Sequence, residues 1–177
     1  MSRVHFTFAL GVVVASLAHT GCYAVSPLDA APLQRLDRAL LREWRCIPTD
    51  PGETDSSLLT IAESREKGMQ YEVSWKEGTK APDHYTAFGS KVLGEPYLNV
   101  RSPETPGKPE AKPWVFVRYA VLAPRVLHLR LVKESLYKET AASATPAVAR
   151  ATLEKALARA EAVLEDFAVC VGAPPKS

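Results

Sequence analysis

Residues 69–76, MQYEVSWK, alternate without a break: Met69, Tyr71, Val73 and Trp75 are apolar or aromatic, and Gln70, Glu72, Ser74 and Lys76 are polar. Successive side chains of an extended strand point to opposite faces, so a period of two makes one dry face and one wet face. A run of this kind asks for cover on a single side, which an antiparallel sheet supplies. Similar runs stand on either side of it: WRCIP, ended by Pro48, then LLTIAES, HYTAFGSKV, EPYLNVR and RVLHLRLV, the last with Leu127, Leu129 and Leu131 in and His128 and Arg130 out. WVFVRYAVL differs in being dry on both faces, with Val115, Val117, Tyr119 and Val121 in one row and Trp114, Phe116 and Ala120 in the other. Only Arg118 breaks the second row, and the pattern predicts a central strand covered twice. Polar turns such as TDPGETDSS and EGTKAPD separate most of the runs, which favours consecutive hairpins over parallel crossovers.

Helical spacing brackets the strands. In LQRLDRALLREW, Leu33, Leu36, Leu40 and Trp44 recur at three- and four-residue steps behind Pro32, which predicts an amphipathic helix. Thr145 and Pro146 make a start signal for a long C-terminal helix with Leu153, Leu157, Ala160, Leu164 and Phe167 on its face. SPETPGKPEAKP, with Pro103, Pro106, Pro109 and Pro113, cannot join a ladder and reads as an exposed connection. The expected fold is therefore α+β: an antiparallel meander of about seven strands flanked by an N-terminal and a long C-terminal amphipathic helix. That order, with Trp44 on the first strand and Arg42 at the place of the family's glycine, resembles the lipocalin plan. The resemblance implies a half-barrel or lipocalin-like sheet that binds an apolar or amphiphilic ligand.

The chain begins MSRVHFTFALGVVVASLAHTGC, where Phe6 to Ala18 is a largely apolar run of 13 residues after Arg3. A spanning helix needs roughly 20 such residues and a secretory leader about 7–15. Thr20, Gly21 and Cys22 resemble the lipobox of bacterial lipoproteins, with His19 where that family usually has leucine. The resemblance implies a leader over residues 1–21, acylation (palmitate) at Cys22, a tether over 22–31, a domain over 32–172 and a tail over 173–177. With Tyr23 rather than aspartate next, it implies attachment to the outer membrane, facing the periplasm. The other reading is ordinary cleavage after Ala18, giving a secreted or soluble periplasmic protein. Lipid on Cys22 leaves Cys46 and Cys170, an even pair in an oxidising compartment. Two buried thiols that never meet are the alternative. A bridge between them closes a loop that the chain-entropy estimate values at about 4–5 kcal/mol.

The chemistry visible in the chain is sparse. With 22 basic against 20 acidic residues there is no cationic excess for nucleic acid. After the leader only His84 and His128 remain, and no HExxH, GxSxG or Gly-rich phosphate loop occurs. No metal, cofactor or catalytic group is expected, and a hydrolase built from dispersed carboxylates such as Glu63, Glu66 and Glu72 is the least favoured reading. The candidate site is a ligand pocket of Tyr71, Trp75, Tyr85, Trp114 and Arg118. A charge in a dry row needs an acceptor, either an anionic or amphiphilic ligand or else a glutamate or carbonyl of the chain itself. The alternative role is an envelope assembly protein that docks a partner through a sheet edge or the Pro-rich segment.

Overall fold

A computed structural model describes residues 26–49, 55–102, 114–136, 145–159 and 162–173. The leader, Cys22, the first part of the tether, the Pro-rich segment 103–113 and the end of the tail lie outside the described residues. Eight strands follow one another: β1 (Glu43–Pro48), β2 (Ser57–Glu63), β3 (Tyr71–Glu77), β4 (Asp83–Val92), β5 (Glu95–Arg101), β6 (Val115–Ala123), β7 (Val126–Val132) and β8 (Leu164–Gly172). Each pairs antiparallel with the next, and β8 returns to β1, so the meander closes into a barrel. The fold is thus mostly antiparallel β and fully closed, not a half-barrel. It carries a single α-helix among the described residues, α1 (Pro146–Ala158), inserted between β7 and β8.

Except on β8, the inward rows are the dry rows of the alternating runs. Trp44, Cys46, Leu59, Ile61, Tyr71, Val73, Ala87, Leu98, Tyr119, Leu127, Leu129, Ala168 and Cys170 form one buried cluster. An eight-stranded barrel has an interior just wide enough for its side chains to fill. Cys46 and Cys170 face each other directly across the β1–β8 seam and are joined by a disulfide, with Cα atoms 3.9 Å apart.

A second cluster lies outside the wall. Val92, Tyr97, Phe116 and Val132 from the outer faces of β4 to β7 pack with Ala149, Leu153 and Ala156 of α1 and with Leu28 and Val163. This explains why β6 is dry on both faces: Tyr119 points into the barrel while Phe116 is buried in the outer cluster. Thr145 caps α1, its hydroxyl accepting from the Val148 N–H, and Pro146 occupies the first turn.

Both helix expectations need correction. The N-terminal segment is extended apart from a 3-10 turn at Arg38–Leu40, which Asp37 caps by accepting from the Ala39 N–H at 2.9 Å. Leu36, Leu40 and Leu41 do bury together with Trp44, but from a chain that enters one barrel end and turns into β1. The four-residue step from Leu40 to Trp44 is used by the indole Nε1–H, which donates to the Leu40 carbonyl at 3.0 Å. Tertiary burial outweighs helix propensity here.

The C-terminal helix ends at Ala158, and the stretch expected to continue it is β8. Ala168, Cys170 and Gly172 are buried and Val169 and Val171 exposed, which is a strand period. The unpaired edge of β1 takes those residues, and the disulfide locks them there.

Residues 28–29 are held on the outer wall by a buried polar clip. Asn99, fully buried, accepts from the Leu28 N–H at 2.7 Å and donates to Ser90 Oγ at 2.7 Å. Ser90 donates to Asp29, whose other oxygen meets Arg150 of α1 at 2.7 Å. The chain then passes over the barrel rim, and Gln34 Cβ comes within 3.5 Å of the position a side chain on Gly89 would take.

Candidate functional site

The barrel ends differ. At the end where β1 begins, Leu36, Leu40 and Leu41 close the interior, and Asp37 ties the closure down. Its backbone N–H donates to Tyr71 Oη at 2.6 Å, and Tyr119 Oη donates to its carboxylate at 3.4 Å. Burial raises the pKa of both phenols above the ordinary tyrosine value, and the Asp37 carboxylate adds to the rise by repelling a phenolate.

Toward the opposite end the inward rows carry Trp75 on β3, Tyr85 on β4, Val100 on β5, Val117 on β6 and Phe167 on β8, each only part-buried. Trp75 and Phe167 come from strands that are not neighbours, yet their ring centroids are 5.2 Å apart, so the contact crosses the lumen. The Trp75 indole Nε1–H donates outward to Glu77 at 3.3 Å. Desolvation first, then Asp83 and Glu77, raise the Tyr85 pKa. Among the described residues this end of the interior is aromatic, and at its edge stand Asp83 and Glu77, the latter paired with Lys80 at 2.8 Å.

The five residues expected to share a pocket do not converge. Tyr71, Trp75 and Tyr85 face the interior, Tyr71 at the plugged end and the other two at the aromatic end. Trp114 and Arg118 lie outside the wall. The Trp114 ring meets Phe88 edge-on at 5.4 Å and has the Arg101 guanidinium 4.7 Å above it. Arg118 finds its acceptor in Glu95, 2.7 Å away on β5. The cause is parity: Trp114 and Arg118 belong to the row of Phe116, and Phe116 faces out. The spacing of Phe167 from Leu164 fits a helix face, whereas the alternation of the following AVCV stretch marks the strand that carries it to the aromatic end.

Among the described residues, no three His, Cys, Asp or Glu side chains converge to hold a metal, and no helix is long and apolar enough to cross a membrane. The molecule is a closed antiparallel β-barrel of lipocalin-like plan, stapled by one disulfide. In comparisons with protein families, curated proteins and solved structures, nothing matches the chain.

Proposed function

We propose that the protein is an exported lipoprotein, anchored through acyl chains on Cys22 at the bacterial outer membrane, whose barrel binds an apolar or amphiphilic ligand without catalysis. The observation that carries the binding reading is the difference in character between the barrel ends: one is covered by Leu36, Leu40 and Leu41 with Asp37 bonded to Tyr71, the other finishes in the part-buried rings of Trp75, Tyr85 and Phe167. Large rings with one wet edge suit a ligand with an apolar body and a polar head. The disulfide fits an oxidising compartment, and the lipobox resemblance supplies the anchor. Native mass spectrometry of the detergent-extracted protein tests both parts. The expected result is an N-terminal diacylglyceryl cysteine at position 22 and a bound amphiphile that Trp75→Ala and Phe167→Ala release. An unacylated N-terminus rejects the anchor, and identical ligand-free spectra for all three proteins reject the binding site.

A docking role draws on a different observation. Barrel closure leaves no strand edge among the described strands for β-augmentation, but the outer wall of β1, β2 and β8 exposes Ile47, Leu58, Val169 and Val171, with Ile47 directly opposite Val169. Crosslinking from Ile47 in intact cells, with a photoreactive residue in its place, tests whether a protein covers that wall.

A further inference from the structure

Across the outside of the barrel one row runs Tyr97 (β5), Arg118 (β6), Arg130 (β7) and Asp166 (β8), each Cα partnered with the next. Two arginines directly opposite each other on neighbouring strands repel, and anions beside them offset that cost. Here Glu95 meets Arg118 at 2.7 Å, and Asp166 lies 2.9 Å from Arg130 Nε and 3.1 Å from His128 Nε2. The cations sit against the wall and the anions stand out in water: Arg118 and Arg130 are 29% and 34% exposed, Glu95 and Asp166 52% and 54%.

Between them is a surface hollow of about 180 Å³ lined by Arg118, Tyr119, Ala120, His128 and Arg130. Two groups of the row are buried without a hydrogen-bond partner among the described residues, the Tyr97 hydroxyl and Arg130 Nε, the latter off line for Asp166, and of the two residues Arg130 lines the hollow. Tyr97 is almost wholly buried, and a buried polar group without a partner is costly. Desolvation raises the Tyr97 pKa, and the charges of Arg118 and Arg130 oppose the rise while Glu95 adds to it.

We propose that this row is a binding site for a small oxyanion, a carboxylate or phosphate group held between Arg118 and Arg130. Planar guanidiniums present paired donors that fit such oxygens. Glu95 and Asp166, on half-exposed side chains, are the resident carboxylates that a ligand displaces. The site is on the outer wall and is independent of the aromatic end of the interior.

The test titrates the purified protein with sodium phosphate and with sodium acetate, each against sodium chloride at matched ionic strength, following backbone amides of β6 and β7 by NMR. Saturable shifts at residues 117–120 and 128–131 with phosphate or acetate, absent with chloride, are expected, and the tighter probe identifies the group bound. Arg118→Gln should weaken binding at least tenfold. Glu95→Gln, a change at an exposed side chain, removes the resident competitor and should tighten binding severalfold, which a purely structural ion pair would not do. Linear responses equal to chloride, or an affinity unchanged in Glu95→Gln, overturn the proposal.

Discussion

Replacing Cys46 and Cys170 together by alanine should lower stability by about 5 kcal/mol, and chiefly through the unfolded chain. The bridge joins residues 124 apart in sequence. For a closed loop of that size the chain-entropy relation gives about 5 kcal/mol at 25 °C, before any strain. The folded side changes less, because Cys46 and Cys170 already face each other within a continuous run of cross-strand partners from Trp44–Gly172 to Pro48–Ala168. With a urea slope of about 1–3 kcal/mol per molar, the midpoint should fall by roughly 2–5 M. For a domain of this size the melting temperature should drop by about 10–20 °C. Equilibrium urea titrations of the oxidised protein and the double variant, followed by near-UV circular dichroism, give the number. Native-state amide exchange separates the mechanisms. If the bridge restricts the unfolded chain, globally exchanging amides speed up in the variant while local opening of β1 and β8 keeps its rate. A midpoint shift below about 0.5 M at unchanged slope, or loss of protection confined to the β1–β8 seam, would refute the entropic reasoning.

Four further outcomes follow from named contacts. Leu93 is exposed at φ 49° in the two-residue turn between Val92 and Glu95, followed by Gly94 at φ 85°; Leu93→Asn, which makes the Asn-Gly pair such hairpins favour, should stabilise by about 1 kcal/mol in a urea titration. Tyr71→Phe leaves the Asp37 N–H without its acceptor and should cost about 1–3 kcal/mol, with faster amide exchange confined to the plug around residues 37–41. Asn99→Leu removes the acceptor of the Leu28 N–H and the donor to Phe88 and Ser90; limited proteolysis should then cut near residue 28 where the parent resists. In alkali, burial holds the pKa of Tyr71, Tyr85, Tyr97 and Tyr119 above 10.0. The unfolded chain therefore loses phenolic protons first, and stability that is full below pH 10 declines as pH rises through the folded-state values; native phenolate absorbance that develops along the unfolded-chain curve would contradict this.

Much of the sheet was readable from local pattern. The runs beginning at Trp44, Leu58, Met69, His84, Glu95, Trp114 and Arg125 are strands, in the order and antiparallel sense expected, except that Met69, placed on the dry face by alternation, lies before β3 at φ 60° and is exposed. The two misread stretches share one cause. Leu36, Leu40 and Trp44, and Leu164 with Phe167, have helical spacing because a few buried residues at steps of three or four satisfy that template whatever the backbone does. At Trp44 the burial is supplied by the barrel interior, and at Phe167 by Trp75 across the lumen. The alanine-rich stretch up to Ala158 is helical as its composition favours. Beyond it, β-branched Val169 and Val171 around Cys170 were the contrary signal, and the sulfur they carry into register with Cys46 was itself a reason to expect a strand opposite β1.

Which residues share a site was harder to read, because alternation divides a strand into two rows without saying which row faces the lumen. On β3 the question has one answer, since only the row of Tyr71, Val73 and Trp75 is dry. On β6 both rows are dry, and the choice is made by partners far away in sequence: Val117 and Tyr119 match Leu131 and Leu129 across β7, while Phe116 meets α1 residues through the outer cluster. Arg118 follows Phe116 outward, so the charge that seemed to interrupt a core row instead joins Arg130 and Asp166 along the wall. A barrel wall with a helix on one side has two hydrophobic faces and therefore two places where a charge in a dry row can find an acceptor. Only the register distinguishes them, and register is a property of strand pairs that no single strand encodes.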